Sequence, residues 1–117
     1  MTSFGPTKFA VGESLHTVKI NLVPSKDVQH IKGSFTSEAQ DDIISFSESS
    51  KSIEDDTITV QFKKSRQGDS KITITANIIA CGETTCAMIE KTFEVLVADG
   101  SNTGAVNFSY AVELPRQ

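Results

Sequence analysis

Hydrophobic residues recur at every second position along most of the chain, the mark of strands with one buried face. The alternation is clear in Val18-Lys19-Ile20-Asn21-Leu22 and in Ile58, Val60 and Phe62. It returns in Ile72, Ile74, Ala76 and Ile78, in Phe93, Val95 and Val97, and in Val106, Phe108, Tyr110, Val112 and Leu114. These residues are expected to face a core, and those between them water or a second partner. Turn-forming clusters separate the runs: Pro24-Ser25-Lys26-Asp27, Gln67-Gly68-Asp69-Ser70 and Asp99-Gly100-Ser101-Asn102. A longer polar stretch, Ser47 to Ser52 followed by Glu54-Asp55-Asp56, reads as a solvated connection. Strand signals punctuated in this way predict an all-β sandwich of about seven to nine strands. Ser37-Glu38-Ala39-Gln40 could begin a helix towards Ile43, but without sustained 3.6-residue periodicity it is worth one turn at most. Residues 1–8 read as a lead-in segment or linker, because Phe4-Gly5-Pro6 looks like an entry segment and Gly5-Pro6 fits a linker, and residues 9–117 as a single domain. Pro115 is expected to stop pairing at the end of the last strand.

The length of 117 residues suits one domain with its own core. Ser and Thr make up 26 positions, and the Thr residues fall in the strand signals, where a stiff branched side chain is favoured. Eleven basic against 15 acidic residues give a net charge of −4, the wrong sign for a phosphate-backbone binder. Lys63-Lys64 with Arg66 is too short a basic run to reverse this, so no nucleic-acid partner is expected. Neither is a membrane partner: no apolar run approaches the length of a spanning helix, and Met1 to Gly5 lacks the pattern of a secretory signal.

The chemically pointed feature is Cys81-Gly82-Glu83-Thr84-Thr85-Cys86, lying between two strong strand signals. Four intervening residues that include a glycine suit a hairpin loop, which would set the two thiols opposite each other. Directly opposed residues on antiparallel strands lie within disulfide reach. A bridge closing so short a loop holds a fold together less than one joining distant segments. Three readings stay open: redox exchange or redox-dependent docking, a structural clip, and two unlinked thiols. Glu83 would raise a thiol pKa, and Lys91 is five residues from Cys86. A bridged pair suits the periplasm or a lumen, a reduced pair the cytoplasm.

Other chemistry finds little support. Zinc would need His16 and His30 to join the two cysteines, but they lack paired spacing and read as strand residues with polar tips near the surface. Asp41-Asp42 and Asp55-Asp56 are neighbours whose side chains point apart, as in solvated loops. No phosphate loop, nucleophile elbow or zincin helix is present, and no cofactor is expected. Asn107-Phe108-Ser109 matches a glycosylation acceptor, but within a strand signal.

From about Asp56 to Val97 the order is a strand with Ile58-Thr59-Val60-Gln61-Phe62, a polar turn and the long strand Lys71–Ala80. Cys81, a short loop, Cys86 and Glu90-Lys91-Thr92-Phe93-Glu94-Val95-Leu96-Val97 follow. This resembles the immunoglobulin-like β-sandwich at the N-terminus of the bacterial disulfide reductase DsbD. It is still more similar to the C-terminal domain of thioredoxin-like, NHL-repeat-containing proteins. The resemblance implies an immunoglobulin-like antiparallel sandwich, with Cys81 and Cys86 as the redox pair. It further implies a non-catalytic module whose partner is a thioredoxin-like domain, in cis or in trans. The alternative is an extracellular or periplasmic binding or adhesion module with a purely structural disulfide.

Overall fold

A computed structural model describes residues 2–101 and 105–114. The turn at 99–102 therefore lies partly, and Pro115 wholly, outside the described residues. Nine strands form two facing sheets: β1 (Thr2–Phe9), β2 (His16–Pro24), β3 (His30–Ala39), β4 (Ile44–Phe46), β5 (Ser50–Ser52), β6 (Thr57–Lys64), β7 (Ser70–Cys81), β8 (Cys86–Asp99) and β9 (Ala105–Val112). One sheet runs β1-β8-β7-β3-β5 and the other β4-β6-β2-β9. The architecture is the all-β sandwich that the period-two pattern predicts. The central pairings are antiparallel, whereas β1 runs parallel to β8 and β9 parallel to β2.

The alternating residues meet between the sheets. Val18, Ile20, Ile58, Phe62, Ile72, Ile74, Ala76, Ile78, Phe93 and Val95 are all fully buried. Burying each Val, Ile or Phe among them contributes about 1.5–3 kcal/mol, which makes the interleaved faces the main source of stability. In β9 the same alternation holds, but Val106, Phe108 and Tyr110 are only half-buried, because this strand lies at an edge.

Three expectations are corrected. The described part of the expected lead-in segment or linker, Thr2 onward, is not one: Thr2–Phe9 is an edge strand on β8. Phe4 stacks on Phe108 with ring centroids 4.5 Å apart, and Phe9 is buried against Phe62. Phe4 and Phe9 are an odd number of residues apart, so simple alternation could not turn both inward. The register advances three residues on β1 (Phe4 to Thr7) while β8 advances two (Val95 to Val97), and this extra residue at Gly5-Pro6 restores the phase. Next, Ser37 to Ile43 contains no helical turn. The ladder between β3 and β7 continues to Ala39 opposite Ile72, with Ser37 turned inward opposite Ile74, and the chain bends only afterwards. Finally, the serine-rich connection is not wholly solvated loop, since Ser50–Ser52 pairs with Ser34–Thr36 as β5.

Gly33 shows why a glycine can sit inside a strand. Its φ of +142° lies where other residues are disfavoured, and a Cβ there would collide with the Asn77 carbonyl oxygen. The two turns between Glu54 and Thr57 and between Asp41 and Ile44 are shaped by acidic residues. Asp55 and Asp56 adopt φ of 52° and 54°, the left-handed pair of a tight hairpin, and the Thr57 N–H donates to the Glu54 carbonyl at 2.9 Å.

Candidate functional site

β7 and β8 form one long hairpin, its register running from Ser70 opposite Val97 to Cys81 opposite Cys86. The two cysteines are the last pair before the turn and are joined in a disulfide, with a Cα–Cα separation of 4.0 Å. The loop of Gly82 to Thr85 is closed by the Gly82 N–H donating to the Thr85 carbonyl at 2.8 Å. Gly82 has backbone on one side and side chain on another. A Cβ there would come within 2.8 Å of the Asp27 carbonyl oxygen and 2.9 Å of Leu114 Cδ1. The hairpin tip is thus seated against the β2–β3 turn and the segment after β9.

The two sulfur-bearing residues differ in surroundings. Cys81 lies between β3 and β8, opposite His30 on one side and Cys86 on the other, and is 3% exposed. Its carbonyl accepts a hydrogen bond from the Gln29 N–H at 2.7 Å. Cys86 is exposed. β1 covers β8 only from Phe93 onward, so on the side away from β7 no described strand lies beside the stretch from Cys86 to Thr92. On the same outer face the next register row is Lys32, Ile79 and Met88, and Met88 is 74% exposed. The disulfide therefore borders a small apolar patch, with His30 and Lys32 along its β3 side.

The remaining sequence candidates do not join this site. His30 is exposed beside Cys81. His16 is not a surface residue: it is fully buried, its ring packed 5.0 Å from Phe9 and 5.5 Å from Phe62, and its Nε2–H donates to the Ala10 carbonyl at 2.7 Å. It occupies an inward position of β2, in phase with Val18 and Ile20, at the end of the strand away from Pro24 and the hairpin tip. Among the described residues no cluster of His, Cys, Asp and Glu could hold a metal ion. Asp41 and Asp42 diverge. Asp41 accepts hydrogen bonds from the Ile43 N–H at 3.0 Å and the Ser70 hydroxyl at 2.9 Å. Asp42 pairs with Arg66, whose hydrogen bond and charge hold its carboxyl below the usual range. Asn107 is exposed on the outer face of β9.

One polar constellation went unread in the sequence. Lys64 is fully buried, and its ammonium is paired with the Asp99 carboxylate while also donating to the Arg66 carbonyl at 3.4 Å. Both Asp99 oxygens accept the Gly68 N–H at 3.0 Å. The Lys64 hydrogen bond is the leading reason that the Asp99 pKa is lowered. The signal was present: Lys64 continues the inward series Ile58, Val60, Phe62. The contact closes the end of the sandwich opposite the disulfide, joining the ends of β6 and β8.

No family model matches the chain, and no curated protein matches it.

Proposed function

We propose that this chain is an immunoglobulin-like, non-catalytic module whose Cys81–Cys86 disulfide exchanges with thiols of a thioredoxin-like partner, in cis or in trans. The reading is carried by one observation: an exposed Cys86 is bonded to a buried Cys81 at the free end of a hairpin. Thiol–disulfide exchange proceeds by thiolate attack on one sulfur with departure of the other. An attacker approaches roughly in line with the bond it breaks. For Cys86 that line crosses the uncovered side of β8, whereas for Cys81 it crosses β3 at His30.

The balanced sequence is then directional. A partner thiolate attacks the Cys86 sulfur, forming an intermolecular disulfide and releasing Cys81 as a thiolate. The second thiol of the partner, on losing its proton, attacks the partner's own sulfur and releases Cys86. The partner dithiol ends oxidised to a disulfide, and the module ends with two thiols. The row of exposed Met88 and half-buried Ile79 beside the pair offers apolar docking area for the partner.

The test incubates the oxidised chain with a reduced thioredoxin whose second active-site cysteine is replaced by serine. The expected product is a mixed disulfide that peptide mapping places on Cys86. No adduct, with the intramolecular disulfide unchanged, would leave the bridge as a structural clip. The close seating of Gly82 against Asp27 and Leu114 favours that second reading, in which the chain is a binding or adhesion module.

A further inference from the structure

We infer that the chain self-associates through β9, two copies pairing these edge strands antiparallel about a two-fold axis at Ser109. An exposed edge presents unpaired backbone groups, and monomeric proteins protect such edges with charges, prolines, bulges or extreme shortness. Nearly every other edge here carries one of these devices. β1 has Pro6, Lys8 and an extra residue in its register. β4 and β5 are three residues each, and β5 contains Lys51. The part of β8 that β1 leaves uncovered contains Glu90 and Lys91. β9 has none: Ala105-Val106-Asn107-Phe108-Ser109-Tyr110-Ala111-Val112 is eight residues without charge, proline or glycine. Its one described neighbour is β2, so alternate residues turn their N–H and C=O groups towards a side that no described strand occupies.

A second observation points the same way. Val106, Phe108 and Tyr110 face the core yet are only half-buried. Phe108 stacks on Phe4, and Tyr110 meets Phe93 edge-on at 5.2 Å, so these rings line the rim of the sandwich at this edge.

The sequence of β9 fits a second copy of itself. Centring an antiparallel pair on Ser109 sets Phe108 of each copy opposite Tyr110 of the other and Val106 opposite Val112, all on the core side. On the outer face Asn107 opposes Ala111, and Ser109 meets its own symmetry mate. Aromatic cross-strand pairs are favourable, and no like charges oppose one another within the strand. The two β4-β6-β2-β9 sheets become one continuous sheet of eight strands. The guarded edges elsewhere stop growth at two copies, giving a closed two-fold assembly. This surface is separate from the disulfide, so its test is independent of the exchange reading.

Sedimentation equilibrium of the intact chain, from about 1 to about 500 µM, is expected to show a monomer–dimer equilibrium. Ser109 is exposed on the solvent face, so Ser109→Lys leaves the far-UV circular dichroism unchanged. It places two ammonium groups together at the axis and weakens the dimer by about tenfold or more. Under mild oxidant, Ser109→Cys crosslinks into a covalent dimer, because directly opposed Cα atoms lie within disulfide reach. Asn107→Cys does not, since its symmetry mate is four residues out of register, beyond that reach. A monomer throughout the concentration range, a dimer indifferent to Ser109→Lys, or equal crosslinking by both cysteine variants would overturn the inference.

Discussion

Replacing both cysteines, Cys81→Ser with Cys86→Ser, asks whether the bridge holds the fold or merely rides on it. The bond closes a loop of only six residues, counting the cysteines. The entropy removed from the unfolded chain by so small a ring corresponds to about 2 kcal/mol at room temperature. The hairpin loses no other constraint, since the ladder from Ser70 to Ala80 against β8 and the flanking pairing with β3 remain. For 117 residues a loss of this size lowers Tm by about 9 °C. The assay is urea unfolding of the oxidised chain and the double variant, followed by circular dichroism, with a two-state fit of each. The midpoint should fall while the slope stays nearly constant. A loss above about 4 kcal/mol, or a non-cooperative transition, would refute the reasoning. The disulfide would then be a staple for the whole sandwich, and a reduced form could not persist through an exchange cycle. A loss below about 0.5 kcal/mol would refute it from the other side, since a constraint on the unfolded chain must appear in the equilibrium.

Three further outcomes follow from the packing. Phe62→Ala empties a fully buried position that contacts Phe9 and His16, and should cost about 3–5 kcal/mol in the same urea assay. Gly33→Ala must move the β3 backbone off the Asn77 carbonyl and out of a positive φ, costing about 1–3 kcal/mol, with the unfolding midpoint as the readout. Asp99 has a lowered pKa in the folded chain, so its contribution is present above the unfolded carboxylate value of about 3.9 and is lost as pH falls through the lower folded value. In Asp99→Asn the acid-limb slope of stability against pH should become shallower, measured by urea midpoints between pH 6 and about pH 2. An unchanged slope would show that the Lys64 pairing does not couple to folding.

Much of the site was legible before any coordinates. Two cysteines separated by a short polar loop between strand signals leave few geometries, and the hairpin places them opposite each other as the spacing implies. The asymmetry between them was not legible. Cys81 is buried because β3 pairs alongside β7 at His30, and Cys86 is exposed because β1 joins β8 only from Phe93 onward. Both facts concern neighbours remote in the chain. His16 was misplaced for the related reason that residue type suggested a polar tip at the surface, while its inward phase with Val18 and Ile20 set its burial.

The sequence by itself determined the all-β class, the faces of β2, β6, β7, β8 and β9, and the hairpin that unites the cysteines. Side-chain alternation and turn chemistry are local, and strands obey them wherever they pair. Only the tertiary structure decided which strands are neighbours. It made Thr2–Phe9 a parallel edge strand and extended β3 through Ser37 to Ala39. It also put the Lys64 ammonium against Asp99 and left β9 with no described strand on one side. Such pairings join segments far apart in the chain, and their selection depends on how the two sheets fill one shared core, which no local pattern encodes.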